Sequence, residues 1–146
     1  METLQFIHSG WAYIVLLVLV IATFNALIKF FGNKEYDALD FRFSLFALIT
    51  MHIQLLIGII LFFTKDYFGT IKEVGGMGAV MKNSELRNLI IEHPITMIIA
   101  VALVTIGYSK HKKKLVSKPK FKLLAIFYTL ALILVLAKIP WNLWFN

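Results

Sequence analysis

The sequence predicts an all-α membrane protein: a four-transmembrane-helix up-down-up-down bundle with both termini on the outer, periplasmic side. Three observations predict it. Of the 146 residues, 60% are hydrophobic and only 16% are charged, and mean hydropathy is +0.80. Four separate apolar stretches are each long enough to cross a bilayer. The basic residues gather in particular connectors. A soluble chain of this length has too much surface for its volume to hide that much apolar side chain, so most of it must face lipid.

The spans are expected at about 6–31, 41–63, 84–109 and 121–139, within one domain covering 1–146. A span needs about 20 mostly apolar residues, and helices are the default because a backbone in lipid must satisfy its own hydrogen bonds. The third span is short if counted from Pro94. It reaches full length if the helix starts at "NSELRNLIIEHP", capped by Asn83 or Ser84 and kinked at Pro94. Pro94 would also free a backbone carbonyl one turn earlier, around Ile90. The first span does not read as a cleaved signal peptide: Glu2 stands where a basic cluster belongs, and no small-residue cleavage site follows.

Orientation follows from Lys and Arg. The connector "KHKKKLVSKPKFK" holds seven lysines between Lys110 and Lys122, and the first connector adds Lys29, Lys34 and Arg42. The second connector balances Lys65, Lys72, Lys82 and Arg87 with four acids. Connectors one and three are therefore expected in the cytoplasm of a multi-pass bacterial inner-membrane protein. Trp11, Trp141 and Trp144 would fall at the outer interface. The lysine run reads as a topology signal and anionic-lipid contact rather than a nucleic-acid site.

With no cysteine, disulfides, thiolate metal sites, iron–sulfur clusters and Cys-linked haem are excluded. The polar residues inside the spans carry the remaining chemistry, because they are costly in lipid. Asn25, Gln54, Thr23, Thr50, Thr105 and Tyr128 read as interhelical hydrogen-bond groups. His111, in the lysine connector, is expected to be solvated. His8, His52 and His93 lie within the spans. From the cytoplasmic helix ends, rise per residue puts His93 at roughly 25 Å, His8 at roughly 34 Å and His52 at roughly 15–18 Å. Helical side chains lean toward the N-terminus, so His8 and His93 lean outward while His52 leans inward. His8 with His93 is thus the better pair, set on diagonal helices.

Two imidazoles and no thiolate suit the axial positions of a b-type haem. Zinc wants four ligands, which are hard to supply here. Copper would use His with Met77, Met81 or Met97, but no dense cluster of these occurs. Below His93 one face reads Thr96, Met97, Ala100, Val104, Gly107. Its small residues leave room for a planar ring, or allow close helix packing. Arg87 and Lys138, both at the outer end, are candidates to hold haem propionates; their other reading is ordinary snorkelling to the interface. His93 would be tolerable at the membrane edge if iron took one lone pair and a carbonyl or Glu92 held the other nitrogen.

The stretches "HSGWAYIVLL", "FALITMHIQLLIGIILFF", "MGAVMKNSELRNLIIEHPITMIIAVALVTIGYSK" and "FKLLAIFYTLALILVLAKIPW" resemble those of small four-helix bacterial membrane proteins labelled "cytochrome B". The layout is similar to cytochrome b561-like and CopD-like haem proteins, and the resemblance covers nearly the whole chain. It implies an inner-membrane haem b protein that exchanges electrons with quinone or a partner redox protein, its histidines being His8, His52 and His93. A two-haem cytochrome of the b561 kind uses four histidines at two depths. Here the fourth, His111, stands in the basic connector, so one haem per chain is expected. His52 is left as an alternative ligand, a quinone or proton contact, or an interhelical bond.

The expected function is electron transfer by a bis-His haem b, an electron carrier or subunit more than a stand-alone enzyme. The alternative is a cofactor-free accessory subunit of a larger respiratory or other membrane complex; a homodimer is a further arrangement. A carrier is disfavoured, since no span is broken by paired glycines and no acid is expected inside a helix core. No nucleophile–base set, phosphate loop or metalloprotease motif occurs.

Overall fold

Long apolar runs with few breakers become long helices. The computed structural model describes residues 2–144, with side chains as far as Leu143. Its elements are α1 (Glu2–Phe31), α2 (Ala38–Thr64), α3 (Tyr67–Glu73), α4 (Met77–Lys82), α5 (Ser84–Arg87), a π-helical turn (Asn88–Glu92), α6 (His93–Lys112), α7 (Ser117–Lys138) and α8 (Trp141–Trp144). Four segments are long and apolar enough to cross a membrane: α1, α2, the continuous stretch Ser84–Lys112, and α7. The Trp144 ring, expected in an outer aromatic belt, lies outside the described side chains.

The third span starts where its cap dictates. The Asn83 side chain accepts from the Glu85 and Leu86 amides, satisfying donors that have no partner within the helix. Pro94 then removes one amide from the ladder. The chain answers with a π turn rather than a simple kink: the His93 amide reaches back to the Asn88 carbonyl. Such one-turn adjustments are how spanning helices absorb proline.

α1 packs on α2 and α7, and α6 packs on α7 and α2, so α1 and α6 face each other across the diagonal. Small side chains let the helices approach. Ala22, Ala26, Ala47, Ala100 and Ala131 are all buried, while Phe6, Leu17, Ile28, Phe46 and Leu56 point outward. Gly107 belongs to this packing. A Cβ there would lie 2.5 Å from the Phe127 Cβ of α7, so the space below His93 is taken by a helix contact at this level.

The connectors sort to two ends. At one, the Tyr36 amide donates to Ser117 Oγ at 2.9 Å and Lys118 reaches Asn33. At the other, Lys65 reaches Gln5, and Lys138 meets Glu92.

One expectation is corrected here. His111 is not a solvated loop residue. α6 runs on through Lys112, and His111 is 0% exposed beneath Tyr36 and Tyr108. A buried acid is also present. Asp40 is 1% exposed in the first turn of α2, held by Asn25 Nδ2 at 2.8 Å and Lys29 Nζ at 2.9 Å. It completes a capping box with Asp37, so the carboxylate both starts α2 and neutralises a lysine from α1.

Candidate functional site

The last carbonyls of a helix have no amide partner four residues on. Lys138 ends α7, and Pro140, which has no N–H, follows two residues later. The Lys138 carbonyl is taken up from another helix, by His93 Nδ1 at 3.0 Å. A carbonyl only accepts, so Nδ1 carries the proton and Nε2 of the neutral ring keeps its lone pair. This is the arrangement a ligating histidine needs: one nitrogen oriented by the backbone, the other free to donate electrons.

Opposite His93, across the diagonal, stands His8. The ring centroids are 6.4 Å apart with the planes at 84°. Metal–imidazole bonds are about 2 Å long and a ring nitrogen lies about 1 Å from its centroid, so two rings on opposite sides of one metal have centroids about 6 Å apart. His8 Nδ1 is buried, and the Gln54 side chain is the polar group beside the ring. The ring rests on α2 at Gly58, where an added Cβ would sit 3.2 Å from His8 Cε1. Gln54, one turn earlier on α2, donates through Nε2 to the His8 carbonyl at 2.7 Å, while its Oε1 is buried and unpartnered.

Arg87 and Lys138 are brought together, but on a protein carboxylate. Arg87 Nε lies 3.2 Å from Glu92 Oε2, and Lys138 Nζ lies 3.3 Å from Glu92 Oε1. A second Arg87 nitrogen, Nη1, donates to the Met81 carbonyl at 2.8 Å. Glu92 thus holds the two candidate propionate partners one residue before His93.

His52 is not brought to the pair. It lies six residues before Gly58, about 9 Å of helix rise. Its Nδ1 donates to the Leu48 carbonyl at 2.8 Å, and Nε2 faces Thr105 Oγ1 of α6 at 3.3 Å. The Thr105 hydroxyl also reaches the Val101 carbonyl of its own helix at 2.7 Å, so its one proton is shared between that carbonyl and His52 Nε2, the contact between α2 and α6. Tyr128 likewise links α7 to α2 through the Ser44 carbonyl at 2.7 Å, and Trp11 links α1 to α2 through the Thr50 carbonyl at 3.0 Å. The Thr50 hydroxyl donates within its own helix, toward the Phe46 and Ala47 carbonyls.

At the lysine-rich end a second cluster forms, one that sequence reasoning missed. His111 Nδ1 donates to the Tyr108 carbonyl, so Nε2 is the acceptor for the Tyr36 hydroxyl at 2.9 Å. Burial, with Asp40 adding to it, pushes the Tyr36 phenol up to about 12, so it stays a neutral donor. The only hint in the sequence was a histidine one turn after Tyr108. Gly58 was also missed; as the single glycine within the second apolar run it was the available signal.

Among the described residues no group of three or more His, Cys, Asp or Glu side chains is placed to hold a metal ion. The donor set is a pair, the number a haem iron takes from a protein when both axial positions are filled. Comparison with protein-family models, with curated proteins and with solved structures returned no match.

Proposed function

We propose that the chain is an integral membrane electron-transfer protein that holds one haem b between His8 and His93. What supports the reading is the spacing of those rings across the bundle diagonal, together with the Lys138 carbonyl that fixes His93 and leaves its Nε2 free. The ring of His8 is buried beside Gly58, whose missing side chain makes room for it, and Gln54 is the neighbouring polar group. When bound, haem supplies one-electron exchange at iron. The chain's own part is to position two imidazoles, exclude water with apolar helices, and offer Arg87 and Lys138 to the propionates in exchange for Glu92. The resemblance to the "cytochrome B" proteins points the same way, with quinone or a redox protein as exchange partner. By the lysine distribution, the pair lies toward the periplasmic side of a bacterial inner membrane and both termini are periplasmic.

The test is a reduced-minus-oxidised visible spectrum of protein expressed with haem supply and purified in detergent. A sharp b-type α band at about one haem per chain is expected. A flat spectrum from a well-folded helical protein would overturn the reading.

One observation favours a second reading, a cofactor-free accessory subunit of a larger membrane complex. The Arg87–Glu92–Lys138 cluster and the His93–Lys138 bond close within the chain, as interhelical ties need no further group. That reading expects a colourless protein that copurifies with larger partners.

A further inference from the structure

The lysine-rich end carries a crevice that the haem reading does not use. It has a volume of about 510 Å³ and is lined by Tyr36, Asp37, Ala38, Phe41, Lys112 and Lys120. Its two lysines are arranged rather than loose. Lys112 Nζ stands 5.1 Å from the centre of the Tyr108 ring, and Lys120 Nζ stands 4.9 Å from that of Tyr36 while donating to the His111 carbonyl at 3.2 Å. Tyr36 is in turn fixed by His111, which is fully buried. The one acid in the lining, Asp37, is already engaged: it accepts from the Leu39 and Asp40 amides and faces Lys29 at 3.8 Å.

The surroundings say which anion comes. α6 ends at Lys112 and α7 begins at Ser117, so the crevice lies where two apolar spans leave the hydrocarbon. Between them Leu115 is 96% exposed and Val116 is 62% exposed, flanked by Lys113, Lys114 and Lys118. Apolar side chains interleaved with lysines at a helix end suit the headgroup layer, not open water. We propose that this crevice is a phosphate site for the headgroup of an anionic phospholipid, with Lys112 and Lys120 as its cations and Tyr36 and Phe41 as its walls.

The test is native mass spectrometry of the full chain released from nanodiscs of phosphatidylcholine with phosphatidylglycerol. A surface-layer lysine is worth about fivefold in binding. One retained phosphatidylglycerol per chain is expected for the wild type, and retention roughly 30-fold weaker for Lys112→Gln/Lys120→Gln. Lys113→Gln/Lys114→Gln, which removes the same charge outside the crevice, should weaken retention clearly less than the crevice pair does. Because Lys120 also contacts His111, Lys112→Gln alone and Lys112→Arg/Lys120→Arg guard against misfolding; the first should weaken retention and the second should preserve it. Equal losses in the two double glutamine variants would overturn the proposal in favour of diffuse attraction. So would equal retention of phosphatidylcholine. Displacement of the lipid by millimolar inorganic phosphate would reassign the crevice to a soluble phosphate and overturn the lipid assignment.

Discussion

The imidazole rings of His93 and His8 have centroids 6.4 Å apart and planes at 84°, and His93 Nδ1 is held by the Lys138 carbonyl. Three helices thus cooperate in one site: α1 and α6 supply the rings, and the end of α7 orients one of them. A fourth, α2, supplies Gly58 and Gln54 around His8. No residue of this set is near another in sequence across helices, so the site exists only when the bundle closes.

The proposed pair of ligands has a spectroscopic consequence. On the proposed function His8 and His93 would hold the haem, and the oxidised protein loaded with it would then give a low-spin EPR signal. A high-spin signal from the loaded wild type would contradict ligation by both histidines.

Helix packing at Gly107 should be intolerant of a methyl group. Gly107→Ala places a Cβ against the Phe127 Cβ, both fixed by backbone, and is expected to cost about 1–3 kcal/mol. Gly10→Ala, where nothing lies within 4 Å, is the control. Unfolding in mixed detergent micelles measures both, and equal stability of the two variants would contradict the contact.

Removing the Tyr128 hydroxyl should cost less. Tyr128 is fully buried and its bond to the Ser44 carbonyl joins α7 to α2. Interhelical side-chain bonds in membrane proteins contribute about 0.6 kcal/mol on average and up to about 1.7. Tyr128→Phe is expected to fall in that range in the same assay. A neutral or stabilising effect would show that this hydroxyl does not tie the helices.

Alkaline pH should loosen the lysine-rich end. The Tyr36 phenol sits at about 12 in the folded protein against an ordinary value of 10.0, because burial and then Asp40 disfavour the phenolate. The folded state therefore holds this proton more tightly than the unfolded state. Its contribution to stability is complete below pH 10 and is lost as pH rises from 10 to about 12. Tyr36→Phe is expected to flatten that part of the stability profile; an unchanged slope would contradict the assignment.

Most of the architecture was legible because lipid imposes a simple rule. Four apolar runs had to become four helices, and the Asn83 cap and Pro94 located the start and the irregular turn of the third. The His8–His93 pairing was legible too, since both residues lie near the starts of helices that enter from the same end. What was hidden depended on distant partners. His111 is buried because Tyr36, 75 residues earlier, folds over it. Asp40 is buried because Lys29 and Asn25 of α1 meet it, and hydropathy carries no record of that pairing. The small face below His93 left two readings open, and only the Phe127 side chain assigns Gly107 to packing. Arg87 and Lys138 were legible as cations near the same end of the bundle as His93, but their shared hold on Glu92 was not.

The central claim is best tested by visible spectra of four proteins prepared alike with haem supply: the wild type and the single variants His8→Ala, His93→Ala and His52→Ala. The account predicts a b-type band in the wild type and in His52→Ala, and its loss in both His8→Ala and His93→Ala. A colourless wild type, or a band that survives both of those substitutions, would contradict it.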